Sequence, residues 1–175
     1  MRVTSVLVLL FFLFGSPVYS SKTREYDYLI LCPDFAEQIL IPYTSALSKI
    51  GIRSRIISYQ PGQFEDIEVV REIIRNEYFQ SGIEYLALIG SPKKEESTHY
   101  VIPMKEYVFE YEDREFITYS DMVYASILDP EGTLDLYIGR IPFETPEEIM
   151  AYLERIETFW KQSESLNKNV LLTGV

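Results

Sequence analysis

The sequence predicts an α/β fold, a mainly parallel sheet flanked by helices (a caspase-like subdomain) with a β-hairpin insertion. Three observations carry that prediction. Short strand-like runs, nearly all apolar over residues 26–31 and 84–89 and mixed over 53–59, alternate with longer segments whose apolar residues recur at helical spacing. Strands that are apolar throughout belong to sheets covered on both faces. Between residues 106 and 119 the pattern changes to two aromatic, β-branched runs around Glu112-Asp113-Arg114, which marks a hairpin.

The first strand ends at Cys32-Pro33, and Asp34 is placed to cap the helix that follows. Phe35, Ile39, Leu40, Tyr43, Leu47 and Ile50 form its apolar stripe, and Gly51 stops it. Pro42 sits inside the pattern and predicts a break or kink. The second strand ends before Pro61-Gly62. Ile67, Val70, Ile73, Ile74, Glu77 and Tyr78 then define a second amphipathic helix, closed by Ser81-Gly82. The third strand runs into Gly90-Ser91-Pro92. The hairpin lacks the Asn-Gly turn that favours such connections. A turn over residues 129–132 precedes a strand over 134–141. Thr145-Pro146-Glu147-Glu148 places Thr at N-cap, Pro at N1 and Glu at N3, a capping box. Ile149, Tyr152, Leu153, Ile156 and Trp160 supply the buried stripe of that last helix. Residues 168–175 read as a further apolar strand.

Residues 1–20 stand apart. Arg2 precedes an uncharged apolar run over 6–14, Gly15-Ser16-Pro17 breaks it, and Val18 and Ser20 occupy −3 and −1 of a cut before Ser21. This is the layout of a secretory signal peptide. The run is too short for a span of about 20 residues. The protein is therefore expected to be secreted or extracytoplasmic, without a stable membrane span after cleavage.

Composition removes several function classes. The chain has 175 residues, 27 acidic against 16 basic, and a net charge of −11. That balance argues against nucleic acid as a partner. A single cysteine, Cys32, excludes an internal disulfide framework, and a single histidine, His99, excludes a two-histidine metal site. Cys32 and His99 are the only nucleophile–base pair of the cysteine type that the chain offers. Cys32 at the end of a buried strand reads as a small buried hydrophobe, and His99 as a solvated loop residue. No Gly-x-Ser-x-Gly elbow and no phosphate-cradling glycine motif occurs. Asp113, Asp121, Asp129 and Asp135 are scattered through a turn-rich stretch. Such carboxylates serve calcium in exported proteins, but their spacing is not that of an EF-hand.

An ordered set of motifs resembles the front half of the catalytic domain of gingipain-type cysteine peptidases. Residues 26–33 resemble its opening strand, residues 51–56 the approach to its second strand, and residues 83–90 its third. Ser91 stands where that family continues with Asp, and Ile102-Pro103 follows later than expected. Ser120-Asp121-Met122-Val123-Tyr124 resembles the family's Ser-Asp-x-x-Tyr. Ile138-Gly139-Arg140-Ile141-Pro142, followed by Thr145-Pro146-Glu147-Glu148, is the most specific match. The resemblance implies a caspase-like fold of two α/β subdomains and peptide hydrolysis by a Cys nucleophile with a His base. It places both catalytic residues in the second subdomain, so no catalytic or cofactor-binding residue is assigned here, and the metal ligands are unknown. Calcium is structural in the family, and no ligand for it maps onto this chain.

Three segments follow: a signal peptide over 1–20, an N-terminal α/β subdomain over 21–165, and the first strand of a truncated second subdomain over 166–175. In the first functional reading this is the non-catalytic part of an exported cysteine peptidase, inactive alone. Its partners are then the C-terminal catalytic subdomain and a protein or peptide substrate. In the second it is a stand-alone exported binding module without catalysis. There Arg140 and Asp121 are structural residues paired with each other.

Overall fold

The computed structural model describes residues 24–92, 100–129 and 132–163. The signal-peptide segment, His99 and the expected strand over 168–175 lie outside the described residues.

Four parallel strands form the central sheet: β1 (Tyr28–Pro33), β2 (Ser54–Tyr59), β3 (Tyr85–Ile89) and, numbered after the hairpin, β6 (Tyr137–Ile141). Their spatial order is β2-β1-β3-β6. Strand residues alternate between two separate cores, as the pleat requires. Leu29, Leu31, Leu86 and Leu88 pack with Val70 and Ile74 of α2 (Ile67–Ser81) and with Val123 and Tyr124 of α3 (Met122–Ala125). Ile30, Cys32, Ala87 and Ile89 pack with Ala36 and Leu40 of α1 (Ala36–Lys49) and Ile149 of α4 (Pro146–Ser163). Both faces of the sheet are thus covered, and this is why its two central strands, β1 and β3, carry almost no polar residue, whereas edge strand β2 includes Ser54, Arg55 and Ser58.

Two local expectations are corrected. The first concerns α1, which runs through Pro42 without a break. A proline removes one backbone donor from the ladder, while Ala36, Leu40 and Leu47 bury the same helix face against the sheet. Packing outweighs the cost of an interior proline, about 3 kcal/mol from the lost donor together with the ring's clash against the preceding turn. The second concerns the cap. Phe35 occupies the N-cap position and caps with no side-chain hydrogen bond. Asp34, one residue earlier, accepts the Phe35 N–H at 2.8 Å and spends its other lone pairs elsewhere.

The end signals at Gly82 and at the capping box of α4 agree with the structure, and α2 has a further cap in Asp66. Asp66 caps α2 by accepting the Glu68 N–H at 2.8 Å, and Gly82 ends it at φ 73°, in the left-handed region that suits glycine. The capping box of α4 is complete. Thr145 Oγ1 accepts the Glu148 N–H at 3.3 Å, and Glu148 Oε2 accepts the Thr145 N–H at 3.2 Å. Glu77, inside the α2 stripe, is buried and reaches Arg55 at 3.0 Å.

The hairpin is its own sheet. β4 (Lys105–Tyr111) and β5 (Arg114–Ser120) pair antiparallel around a two-residue loop, Glu112-Asp113, with φ 49° and 59°. Positive φ at both central residues is the type I′ geometry that matches strand twist. The loop adopts it without glycine. Beyond a half-buried base at Lys105, Tyr107 and Ser120, every residue of both strands is exposed. The short helix α3 was not legible in the sequence and follows directly on β5.

Candidate functional site

Open parallel sheets bind ligands outside the carboxyl ends of their strands, where neighbouring connections diverge to opposite faces. Here that point lies between β1 and β3. The chain leaves β1 for α1 on one face and returns to β2, and leaves β3 for the connection that carries α3 on the other face and returns to β6.

Among the described residues this position is filled by side chains. Tyr59, at the end of β2, is buried and donates its hydroxyl to the Ile89 carbonyl oxygen at 2.9 Å. Its ring stacks on Phe64 at 4.5 Å and meets the Tyr100 ring edge-on at 5.9 Å. Burial pushes the Tyr59 phenol well above its ordinary pKa. Gly90 adopts φ 141° beside it, and a Cβ there would lie 2.2 Å from the Tyr59 hydroxyl oxygen and 3.1 Å from the Tyr100 carbonyl oxygen. Only glycine fits between the two tyrosines.

Asp34 closes the β1 side. Its carboxylate accepts the Tyr100 hydroxyl at 2.7 Å, the Gln60 side-chain amide at 2.6 Å and the Phe35 N–H. The Tyr100 hydrogen bond, with help from Phe35 and Gln60, holds the Asp34 carboxyl below its usual value. The same contact pushes the Tyr100 phenol up to about 12. Donor and acceptor shift in opposite directions, as a hydrogen bond to the charged carboxylate requires.

Arg140 closes the β6 side. Its Nε and Nη2 donate to the two Asp121 carboxylate oxygens at 2.8 and 2.6 Å, and its Nη1 donates to the Gly90 carbonyl oxygen at 3.0 Å. The side chains are only 9% and 13% exposed. The fork geometry of a guanidinium suits this bidentate grip, and lysine could not reproduce it. Asp121 and Arg140 belong to the two motifs singled out from the sequence, and the structure joins them as the paired-residue expectation held. Tyr124 of the same Ser-Asp-x-x-Tyr motif donates its hydroxyl to the Pro103 carbonyl oxygen at 2.5 Å. The two motifs and the loop after β3 are therefore one hydrogen-bonded unit.

The other sequence candidates are dispersed. Cys32 is fully buried among apolar neighbours and forms no disulfide. Burial, followed by Glu37 and Asp34, pushes its thiol up to about 12, so a thiolate nucleophile is disfavoured there. Asp135 accepts the Ile127 and Leu128 N–H groups at 2.8 and 2.9 Å, Asp121 holds Arg140, and Asp113 sits at the hairpin tip. Among the described residues no three His, Cys, Asp or Glu side chains gather as a metal site. The roles of Asp34, Gln60 and Tyr100 had no sequence signal, because Tyr100 lies 66 residues from Asp34 and no motif links them.

Residues 21–175 match the family model described as Peptidase family C25. Two solved structures share the fold. A complex of the pro- and mature domains of RgpB from Porphyromonas gingivalis aligns with TM-score 0.57 at 16% identity, over 76% of this chain and 29% of that one. A crystal structure of the Arg-specific cysteine proteinase gingipain R (RgpB) aligns with TM-score 0.54 at 20% identity, over 81% of this chain and 29% of that one. The chain thus spans about 29% of the length of either structure. No curated protein matches it. Among the described residues no helix is long and apolar enough to cross a membrane.

Proposed function

This chain belongs to peptidase family C25, and from that membership we propose that it supplies the non-catalytic N-terminal α/β half of an exported cysteine peptidase domain. In that reading the nucleophile and base come from a second α/β half, which residues 166–175 begin, and the substrate is a protein or peptide. One observation carries the proposal. The only cysteine of the chain is enclosed in the core under α1 and α4, with its thiol pushed up to about 12. A thiol so buried cannot meet a scissile carbonyl, so a cysteine peptidase reaction needs another cysteine.

The role of this half is then support. Asp34, Tyr59, Gly90, Asp121 and Arg140 lock the carboxyl ends of the strands into one rigid platform. Catalytic groups work when held within fractions of an ångström, and a rigid neighbour provides that. Export is supported by the signal-peptide pattern of residues 1–20.

The test is an assay of the purified chain against a fluorogenic peptide library, alone and with Cys32→Ala. No turnover is expected from either. Turnover abolished by Cys32→Ala would overturn the proposal. The intact mass of the native exported protein, captured with an antibody to residues 24–92, separates the two functional readings. A mass matching this chain without its first 20 residues favours the stand-alone module. A larger mass favours the half-domain.

A further inference from the structure

The hairpin has two chemically opposite faces. Register places Glu106, Val108, Glu110, Glu115, Ile117 and Tyr119 on one face, with Glu110 directly across from Glu115. That face holds three carboxylates and no base. Neither Glu110 nor Glu115 has an ion-pair partner among the described residues. Like charges directly opposite each other weaken a sheet. The other face carries Lys105 and Arg114 with an aromatic surface, including Phe109 stacked on Phe116 at 5.5 Å. It holds no carboxylate. Phe109 and Tyr111 are 51% and 63% exposed. The hairpin stands as a two-stranded sheet, so the outer edge of each strand is unpaired among the described residues.

We propose that the outer edge of β4 takes up an extended polypeptide segment whose side chains alternate basic and apolar. A strand added there projects successive side chains to opposite faces. Its basic residues meet Glu106 and Glu110 on one face and relieve the Glu110–Glu115 repulsion. Its apolar residues cover Phe109 and Tyr111 on the other face, where Lys105 and Arg114 repel a base. Both faces therefore select the same alternating pattern, and a one-residue slip, which exchanges the faces, reverses every contact. The edge makes backbone hydrogen bonds that each face alone could not supply. This inference is independent of the peptidase reading, because it uses no residue of the sheet platform.

The test uses the full chain and a fluorescein-labelled peptide of four Lys and four Val in alternation, read by anisotropy at about 50 mM salt. A peptide of the same composition in two blocks controls for simple charge attraction. Binding of the alternating peptide at least tenfold tighter than the block peptide is expected. Glu106→Gln with Glu110→Gln weakens it at least tenfold, and Phe109→Ser weakens it at unchanged charge. Glu72→Gln with Glu154→Gln, an equal charge change on α2 and α4, leaves it unaltered. Hydrogen exchange in residues 106–110 slows when the peptide binds. Equal affinity for both peptides, or equal loss from the helix variants, overturns the proposal. So does a concentration-dependent dimer that the same hairpin variants abolish, which would make a second copy of the chain the occupant.

Discussion

The carboxyl end of the sheet and the hairpin are both rich in tyrosine and acid, and they use them in opposite ways. At the sheet end the charged groups are answered by exact partners: nearly buried Asp121 by Arg140, and half-buried Asp34 by Tyr100 and Gln60. On the hairpin the carboxylates and aromatic rings face solvent, and Glu110 and Glu115 face each other. The difference teaches what each region depends on. Buried polar groups must be satisfied internally, so the platform is specified by many exact partners. An exposed hairpin answers only to its own cross-strand pairs and its turn, which leaves both faces available for recognition.

The largest loss of stability follows from orphaning a platform charge. Asp121→Ala leaves a buried guanidinium unpaired and should lower the unfolding free energy by about 3–5 kcal/mol, read by urea titration. Replacing both partners, Asp121→Leu with Arg140→Met, should recover most of it. An Asp121→Ala protein as stable as the parent would break the comparison. Gly90→Ala comes next, at about 2–4 kcal/mol, because the new methyl group strikes Tyr59 at a backbone angle that disfavours side chains. Tyr59→Phe removes the struck oxygen and should soften that loss, a coupling measurable as a double-mutant cycle.

The pH dependence sharpens the comparison further. The Asp34 carboxyl is depressed in the folded state, so its contribution is present above the ordinary value of 3.8 and fades as pH falls through the lower folded value. The Tyr100 phenol is raised from 10.0 to about 12, so its contribution is present below pH 10 and fades as pH climbs towards 12. Asp34→Asn should move the Tyr100 titration back towards 10, seen by NMR of ring-labelled tyrosine. An unmoved titration would mean that the 2.7 Å contact does not set it.

The smallest effect belongs to the hairpin. Glu112→Asn with Asp113→Gly suits the positive φ of the turn and should stabilise the hairpin by about 1 kcal/mol. Slower amide exchange across residues 105–120 would report it, with the urea midpoint of the sheet unchanged. A shift of that midpoint would show that hairpin and sheet unfold together.

Much of the fold was legible because its signals are local. The apolar runs marked β1, β2 and β3, the capping box marked α4 to the residue, and Gly82 marked the end of α2. The failures share a cause. Pro42 argued for a break that packing against the sheet overrode, and Asp34 was drawn from its expected cap by Tyr100. The short α3 buries Val123, Tyr124 and Ala125 without any periodicity long enough to read. Of the site, Asp121 and Arg140 were visible as motif residues, whereas Tyr59, Gln60 and Tyr100 were not.

The sequence by itself determined the order of the sheet strands and the long helices, the two-sided burial of the sheet and the burial of its one cysteine, because these follow from apolar pattern and composition. Only the tertiary structure decided that the two motifs meet through Asp121 and Arg140, that Tyr59 and Tyr100 fill the crevice beside Gly90, and that the hairpin stands away from both cores. Those outcomes depend on contacts between residues 19 to 66 positions apart, and no local preference of the chain encodes such distances.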